Sequence, residues 1–477
     1  MTWMTFPPLR ICASILTVFI ILPIVSQGQW LQGNLKDTTN QADYIIIAPP
    51  EYVPTIQPLA SFRATANPYS VAIVLLDSIT AQFQEATPDS DMRAFLTYTL
   101  TSWRAPHPQY LLLAGNVNRI PSHRVADTVG SLGVYTALID QWFVDQLCRT
   151  CNIPFPSIAI GRLPAWNQEE LAVMVDKTLQ YEQAAHGEWE RRGVALADSE
   201  GNGYFEWDAQ SQVAMLAPLW TDTMAVHSRE SSPSHRSTKE FLSLWNQGIA
   251  VVSFVGGGTL TTFGRLTYFA TGDLDSLAAG SPLAFCLLSW SQPFDTSSLA
   301  VELLRTPERG AVCAIVPTGL MIVNSESMFS QTLFSDMVAH PDQSIGMSMT
   351  MVKRENPGTF QERITLLGDP ALIIKHPIVS SVNTPKNGTP LGFELLQNYP
   401  NPFNPTTKIQ FTIVNRQLTI VKVFDLVGRK VATLVNEVKE PGTYTVQFDG
   451  SVLASGVYLY RLQAGDFVQM KRMLLVK

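Results

Sequence analysis

The sequence predicts an α/β protein with mainly parallel sheets, followed by a small antiparallel β-sandwich. Between residues 43 and 376, continuous apolar runs alternate with segments of helical spacing, which is the pattern of βαβ units around a parallel sheet. After residue 390 the pattern becomes an alternation of period two, in short runs bounded by Gly, Pro, Asn or Asp, as in antiparallel sandwiches. A stretch rich in Ser, Thr, Asn and Pro, residues 379–392, separates the two patterns and predicts a linker.

Length and composition limit the class of protein. A chain of 477 residues is too long for one core and suggests about three units of roughly 150 residues. Hydrophobic residues make up 46% and charged residues 15%, so each unit can bury a core. The net charge of -7 is mild, and no segment combines clustered Lys and Arg with aromatic residues. We therefore expect no nucleic-acid partner.

The N-terminus has the organisation of a secretory signal peptide. Arg10 precedes an apolar run at 11–25, and Ser26, Gln27 and Gly28 form a small and polar cleavage zone. The run is short for a membrane span, and no later run reaches the roughly 18 apolar residues that a span needs. We expect residues 1–28 to be removed, leaving a mature chain without a transmembrane segment; a retained N-terminal anchor is the alternative.

The first half of the α/β region, 29–191, contains four apolar strands and two segments of helical spacing. The strands are expected at 43–50, 70–77 and 109–117, and a helix at 92–103. A further strand, a Gly-Arg turn and a helix follow from 157 onwards. That helix should begin after Asn167, a good N-cap with acidic residues in the first turn, and continue to residue 183.

The second half, 192–378, contains the two most informative strings. Its first strand opens into an acidic, glycine-containing loop that holds Asp198, Glu200, Asn202 and Asp208. A helix at 238–247 leads into VVSFVGGG, and PLAFCLLSWSQPFD follows at 282–295. Each string is an apolar run that breaks into a small-residue or polar turn. At the carboxyl edge of a parallel sheet such turns carry binding and catalytic groups.

The C-terminal residues 393–477 resemble the sorting domain of the type IX secretion system. The similarity is carried by LLQNYPNPFNPTTKIQF at 395–411, VFDLVGRKVATLV at 423–435 and LASGVYLYRLQAG at 453–465. The resemblance implies export across an outer membrane, contact with the secretion machinery, and a location on the cell surface or outside the cell.

Residues 43–376 resemble the gingipain-type cysteine peptidases. The matching strings, in order along the chain, are DYIII, LLLAGNV, IAIGRLPA, DKTLQYE, ALADS, QGIAVVSFVGGG and LLGDPAL. The resemblance implies two caspase-like α/β subdomains with the chemistry in the second. In that family one strand ends in a Gly-His-Gly turn, and the next ends in the nucleophilic cysteine shortly before a Phe-Asp pair. By this alignment, Gly257 occupies the histidine position and Ser289 the cysteine position.

These substitutions favour an inactive family member that binds a peptide or protein ligand. A cysteine peptidase needs a thiolate nucleophile and an imidazole base, and glycine provides neither. Gly256, Gly258 and Trp290 are the expected binding residues, because a glycine turn exposes backbone N–H groups to an extended ligand. A purely structural surface module is the simpler possibility.

The alternative is an active cysteine-type or serine-type endopeptidase with a relocated base. Ser289 is then the nucleophile, or Cys286, although Cys286 should lie mid-strand and on the opposite face from residue 289. His123 or His235 would have to reach the cleft, whereas surface or loop positions explain both more simply.

The sequence supports fewer expectations about metal binding and about the cysteines. The resemblance implies a calcium loop at Asp198, Glu200 and Asp208, with solvated loop acids as the alternative because no ligand spacing is recognisable. No other cofactor is expected. Cys148 and Cys151 form a CxxC that is either a local disulfide or two reduced thiols. Cys286 and Cys313 lie in apolar strand-like runs, and both should be buried structural thiols.

Overall fold

The computed structural model describes most of the chain after residue 28. The described residues are 29–31, 33–67, 69–128, 134–145, 158–198, 203–227, 236–264, 268–280, 283–288, 292–319, 323–355, 361–377, 394–395, 398, 403–413, 416–425, 429–465 and 467–475. The chain forms two compact units, Met1–Ile378 and Val379–Lys477. The expected signal peptide lies outside the described residues.

An eleven-stranded sheet organises the first unit. Its strands, in chain order, are β1 (Gln29–Trp30), β2 (Tyr44–Ala48), β3 (Val71–Leu75), β4 (Tyr110–Ala114), β7 (Ala159–Leu163), β8 (Arg192–Ala197), β9 (Asp222–His227), β10 (Ile249–Val255), β14 (Leu283–Leu288), β15 (Cys313–Pro317) and β16 (Ile364–Leu367). The spatial order is β1-β3-β2-β4-β7-β16-β15-β14-β10-β8-β9. Strands of the two sequence halves therefore form one continuous sheet.

All neighbouring strands in this sheet are parallel except β15 and β16. β16 lies between β7 of the first half and β15 of the second, so it joins the two halves. The described part of the unit also contains two smaller sheets. They are the hairpin β5 (His123–Thr128) and β6 (Val134–Ile139), and the meander β11 (Gly258–Thr259), β12 (Thr262–Phe263) and β13 (Phe269–Ala270).

Helices cover both faces of the sheet, which explains the continuous apolar strands of the sequence. Along β2, Tyr44 and Ile46 enter one hydrophobic core and Ile45 and Ile47 another. The helices are α1 (Val53–Ala66), α2 (Leu76–Phe83), α3 (Pro88–Ser102), α4 (Trp142–Asp145), α5 (Gln168–Gln183), α6 (Tyr204–Leu216), α7 (Thr238–Asn246), α8 (Leu299–Arg305), α9 (Val323–Ala339) and α10 (Ile345–Glu355).

The predicted start of α5 is confirmed. The side chain of Asn167 accepts a hydrogen bond of 2.8 Å from the backbone N–H of Glu170, so it caps one of the first free donors of the helix. The helix ends at Gln183, as the spacing predicts.

One local expectation is wrong. Asp208 does not lie in a loop, because Gly203 adopts a φ of +86° and the chain turns directly into α6 at Tyr204. Asp208 lies on the buried face of that helix, where Gln331 of α9 donates a hydrogen bond of 3.2 Å to its carboxylate. It is 1% exposed and Asp198 is 4% exposed. Neither acid is therefore solvated, contrary to the alternative considered for this loop.

The second unit is the expected antiparallel sandwich. One sheet has the order β17-β18-β21 and the other β20-β19-β22-β23. The strands are β17 (Glu394–Leu395), β18 (Thr406–Ile413), β19 (Gln417–Asp425), β20 (Lys430–Lys439), β21 (Gly442–Asp449), β22 (Gly456–Ala464) and β23 (Phe467–Leu475). Within the described part of the chain, no helix is long and apolar enough to cross a membrane.

Candidate functional site

The two informative strings form neighbouring parallel strands. β10 and β14 pair from Ile249 opposite Leu283 to Phe254 opposite Leu288, so both end at the carboxyl edge of the sheet. β8 flanks β10 on the other side, with Ala197 opposite Val255. The turns after β8, β10 and β14 therefore meet at one edge, where open parallel sheets bind ligands.

The glycines after β10 differ in what their backbone requires. Gly256 has a φ of +149°, and a Cβ at this position would overlap the Cβ of Asp198, which follows β8. Glycine is thus required at 256. Gly257 and Gly258 do not adopt a positive φ of this kind. No backbone strain therefore demands glycine at 257, the position that the resemblance assigns to histidine.

The meander after the glycines already uses part of their backbone. Gly258 pairs with Phe263 and Thr259 with Thr262, while Gly264 donates a hydrogen bond of 3.1 Å to the carbonyl of Gly257. An extended ligand therefore has fewer of these groups available than the sequence suggests.

The second string is described up to Leu288 and again from Gln292. Ser289, Trp290 and Ser291 lie outside the described residues. Cys286 lies within β14, opposite Val252 of β10 and Ala314 of β15, and not at the strand end.

Gln292 holds the loop after β14 against its neighbours. Its N–H donates to the carbonyl of Pro317 at 2.7 Å, and its Nε2 donates to the carbonyl of Thr259 at 3.0 Å. Its Oε1 accepts from the N–H of Ala300 in α8 at 3.3 Å. Gln292 is 2% exposed, so these bonds are made in the protein interior. Sequence reasoning missed it; a lone polar residue directly after the site string was the available signal.

Arg162 connects the first half to the same loop. Its Nε and Nη2 form a two-point contact with the carboxylate of Asp140, at 2.6 and 2.8 Å. Its guanidinium lies over the ring of Phe294, 4.9 Å from the ring centre. Both Arg162 and Phe294 have no exposed surface. Next to Phe294, Asp295 accepts from Arg124 of β5 at 3.2 Å. The Arg of IAIGRLPA and the Phe-Asp pair are thus joined in space.

His123 points away from this loop. Its Nδ1 is 3.0 Å from Asp89, and its ring stacks on Trp142 with centroids 3.9 Å apart. Burial raises the pKa of Asp89, but hydrogen bonds from Thr87 and His123 outweigh burial and lower it overall. Since successive strand residues face opposite sides, Arg124 faces Asp295 and His123 does not. His235 lies outside the described residues.

His227 is the described histidine at the site edge, and sequence reasoning gave it no role. It ends β9, opposite Ala197 of β8, and its Nε2 is 3.7 Å from Glu206 of α6. Its place at the end of a parallel strand was the available signal. Two strand spacings, about 10 Å, separate β9 from β10, and three, about 14 Å, separate it from β14.

The proposed calcium loop is only partly described. Asp198 and Asp208 are buried, and Glu200 and Asn202 lie outside the described residues. Among the side chains that are described, no group of three His, Cys, Asp or Glu residues could hold a metal ion. Cys313 is buried and forms no disulfide, while Cys148 and Cys151 lie outside the described ranges.

Comparisons with protein families match both units. A model described as peptidase family C25 matches residues 37–375, and one described as a secretion system C-terminal sorting domain matches residues 397–477. The second match confirms the expected type IX sorting domain, so the protein is secreted or displayed on the cell surface.

Curated relatives include gingipains R2 and R1 of Porphyromonas gingivalis. Gingipain R2 is 21% identical over 399 residues, which cover 72% of this chain and 52% of the relative. Gingipain R1 is 21% identical over 292 residues, covering 56% of this chain and 28% of the relative. The chain thus spans about half the length of gingipain R2 and less of gingipain R1.

Solved structures show the same fold. The crystal structure of the Arg-specific cysteine proteinase gingipain R superposes with a TM-score of 0.58 at 15% identity, covering 94% of this chain and all of that one. The complex of the pro- and mature domains of the Porphyromonas gingivalis protein gives 0.56 at 16% identity, covering 91% and 100%. These likenesses confirm the predicted fold class. Because the first family match spans most of the sequence, the chain belongs to peptidase family C25 and carries a type IX C-terminal sorting domain.

Proposed function

We propose that this exported member of family C25 is catalytically inactive and acts as a peptide- or protein-binding module. The observation that carries the proposal is the glycine at position 257, in the turn directly after strand β10. Glycine has no side chain that could take up the proton of a nucleophile. In well-studied hydrolases, loss of one member of the catalytic group costs about a million-fold in turnover, or roughly 8 kcal/mol of barrier.

The backbone conformation at 257 does not by itself require glycine, which supports the interpretation that the glycine replaces a catalytic histidine. Gly256 is fixed by its φ and by the overlap that a Cβ would make with Asp198, whereas Gly257 has no positive φ of this kind. A histidine could therefore occupy 257 without backbone strain.

The positions of His123 and His227 support the same conclusion. A general base must lie about 2.6–3.2 Å from the proton that it removes. His123 is held by Asp89 and Trp142 on the far side of β5. His227 lies about 14 Å from β14 measured across the strands, farther than an imidazole side chain extends.

A binding role is supported by the contacts that hold the loop after β14 in place and by an exposed apolar side chain beside it. Gln292 fixes the loop after β14 to the meander, and Arg162 and Arg124 fix it to the first half. Beside the glycines, Leu260 is 43% exposed and offers an apolar contact to a ligand side chain. A held loop edge with an exposed apolar side chain beside it suits an extended peptide, although part of the glycine backbone is already paired within the meander.

The test is probe labelling of the full chain, compared with a variant in which the family residues are restored. We expect that iodoacetamide does not label Cys286 and a fluorophosphonate does not label Ser289 in the folded protein, and that casein is not cleaved. The matched variant carries Gly257→His with Ser289→Cys, and Ser289→Cys alone is its control. An added imidazole should raise the rate of thiol labelling near pH 7 at least tenfold over the single variant.

Two outcomes bear on the alternative of an active peptidase. Casein cleavage that is lost in Ser289→Ala or Cys286→Ala would overturn the proposal. Loss of that cleavage in His227→Asn, with folding intact, would identify the relocated base. For the binding role, a peptide library should yield saturable affinity that Trp290→Ala abolishes; no saturable binding would leave only a structural module.

A further inference from the structure

The two outer faces of the C-terminal sandwich differ in chemistry. Along β19, Val421 and Val423 are fully buried in the core between the sheets. Because side chains alternate, Lys422 and Phe424 face outward, as does Leu418, which is 51% exposed. This face of the four-stranded sheet is therefore both apolar and basic.

Neighbouring strands extend the same character. Val438 of β20 lies directly opposite Leu418 and is also 51% exposed. Lys430 of β20 lies opposite Phe424, and the guanidinium of Arg461 of β22 lies 5.3 Å from the centre of the Phe424 ring. The basic-apolar face is defined here by six residues: Leu418, Lys422, Phe424, Lys430, Val438 and Arg461.

The outer face of the three-stranded sheet is different. Along β18, Ile409 and Phe411 are buried, and Lys408 and Gln410 face solvent. Their partners on β21, Gln447 opposite Lys408 and Thr445 opposite Gln410, are also polar. This is an ordinary solvated face, and it supplies control positions in the same domain.

Charge distinguishes the domain from the rest of the chain. Residues 393–477 contain ten Lys and Arg and six Asp and Glu, a net charge of +4, whereas residues 1–392 carry -11. At the outward positions of β19 and β22, and at the β20 positions opposite them, the described residues include no acid. Within the described structure, Lys422 and Lys430 form no ion pair. Their charges are thus available to a partner.

We infer that the basic-apolar face is the surface through which the sorting domain docks on an acidic, partly apolar protein surface of the secretion machinery. Four strands about 4.8 Å apart and nine residues long present about 500 Å². Docking would bury about 1,000 Å² in total, which is the size of a transient interface. A transient contact suits export, because the machinery has to release each exported chain before it binds the next one. Lysines and an arginine beside exposed Leu and Val attract an acidic partner and exclude basic ones. The inference rests on the sorting domain and is independent of the cleft.

The test is export of the full chain from a host with a type IX secretion system, measured as the fraction outside the outer membrane. Lys422→Glu with Lys430→Glu should lower this fraction on the order of tenfold, with accumulation in the periplasm. Lys408→Glu, the matched reversal on the solvated face, should leave export unchanged. Leu418→Ser with Val438→Ser tests the apolar part without altering charge.

Folding and the kind of partner are measured alongside. Thermal unfolding and protease resistance of each purified variant should match the parent; if the double lysine variant is unstable, the Leu418 and Val438 variant decides. A photo-crosslinker at 418 should capture a component of the machinery in cells, and one at 410 should not. Normal export of both double variants would overturn the inference. So would binding of the parent to vesicles with 30% phosphatidylglycerol that the lysine variant loses while export persists.

Discussion

Replacement of Arg162 by lysine tests whether its buried contacts hold the loops at the site edge together. The guanidinium donates to both oxygens of Asp140, and also to the carbonyls of Gly115 at 2.7 Å, Ile120 at 2.8 Å and Pro121 at 3.1 Å. These five bonds use all five N–H donors of the arginine. The side chain is fully buried, so no water replaces a lost bond.

The expected cost follows from the acceptors left without a donor. Lysine keeps the charge but has three N–H donors, so at least two of the five acceptors lose their partner. At about 1–3 kcal/mol for each unsatisfied buried acceptor, Arg162→Lys should lower the free energy of unfolding by about 2–6 kcal/mol. Arg162→Met also leaves the Asp140 carboxylate buried without a counter-charge, which alone costs about 3–5 kcal/mol, so it should destabilise the first unit more than Arg162→Lys does.

Urea titration of the full chain, monitored by tryptophan fluorescence, measures the free energy of unfolding. All ten tryptophans lie before residue 291, so the signal reports the first unit and not the sandwich. Arg119→Lys is the matched control, because Arg119 pairs with Glu51 at 2.8 Å while 45% exposed. Such surface pairs contribute at most about 1 kcal/mol. A loss below about 1 kcal/mol for Arg162→Lys, or equal losses for the two variants, would refute the reasoning.

Three further predictions concern stability. Gly256→Ala should destabilise the first unit by about 1–3 kcal/mol because of its positive φ, whereas Gly257→Ala should be nearly neutral; equal urea midpoints would contradict this. Burial lowers the pKa of Lys177 to about 7, so the unfolded chain binds more protons between pH 7 and 10, and stability rises with pH in that window. The advantage of wild type over Lys177→Met should therefore be larger at pH 9 than at pH 6.5; a constant difference would mean that the four carbonyls around the Lys177 Nζ keep it charged. Asn167→Ala should cost about 1 kcal/mol and Asn167→Asp much less, by the same titration; equal losses would show that the cap does not stabilise α5.

Much of the fold was predictable because its determinants are local. Buried strands such as β2 and β10 are continuous apolar runs, and Asn167 marks the start of α5 within the sequence itself. The position of Asp208 was not predictable, because it depends on the left-handed turn at Gly203 and on the packing of α6 against α9. Long-range packing, and not local preference, decides whether such an acid is solvated.

The site was predictable only where the strand ends define it. The resemblance identifies the two active-site strands, and the structure places them side by side as β10 and β14. The contact of Arg162 with Phe294 joins residues 132 positions apart, and no pattern within either segment signals it. The same holds for Gln292, whose three partners come from three different elements.

The central place of β16 has a consequence for biosynthesis. Ribosomes release the chain from its N-terminus, yet this late strand fills the gap between β7 and β15. Until residue 367 emerges, both neighbours present an open edge with unsatisfied N–H and C=O groups, the usual template for intermolecular pairing. A nascent chain must therefore be shielded until almost the whole unit has been made, and a product that stops before residue 364 is expected to aggregate instead of forming a smaller stable domain.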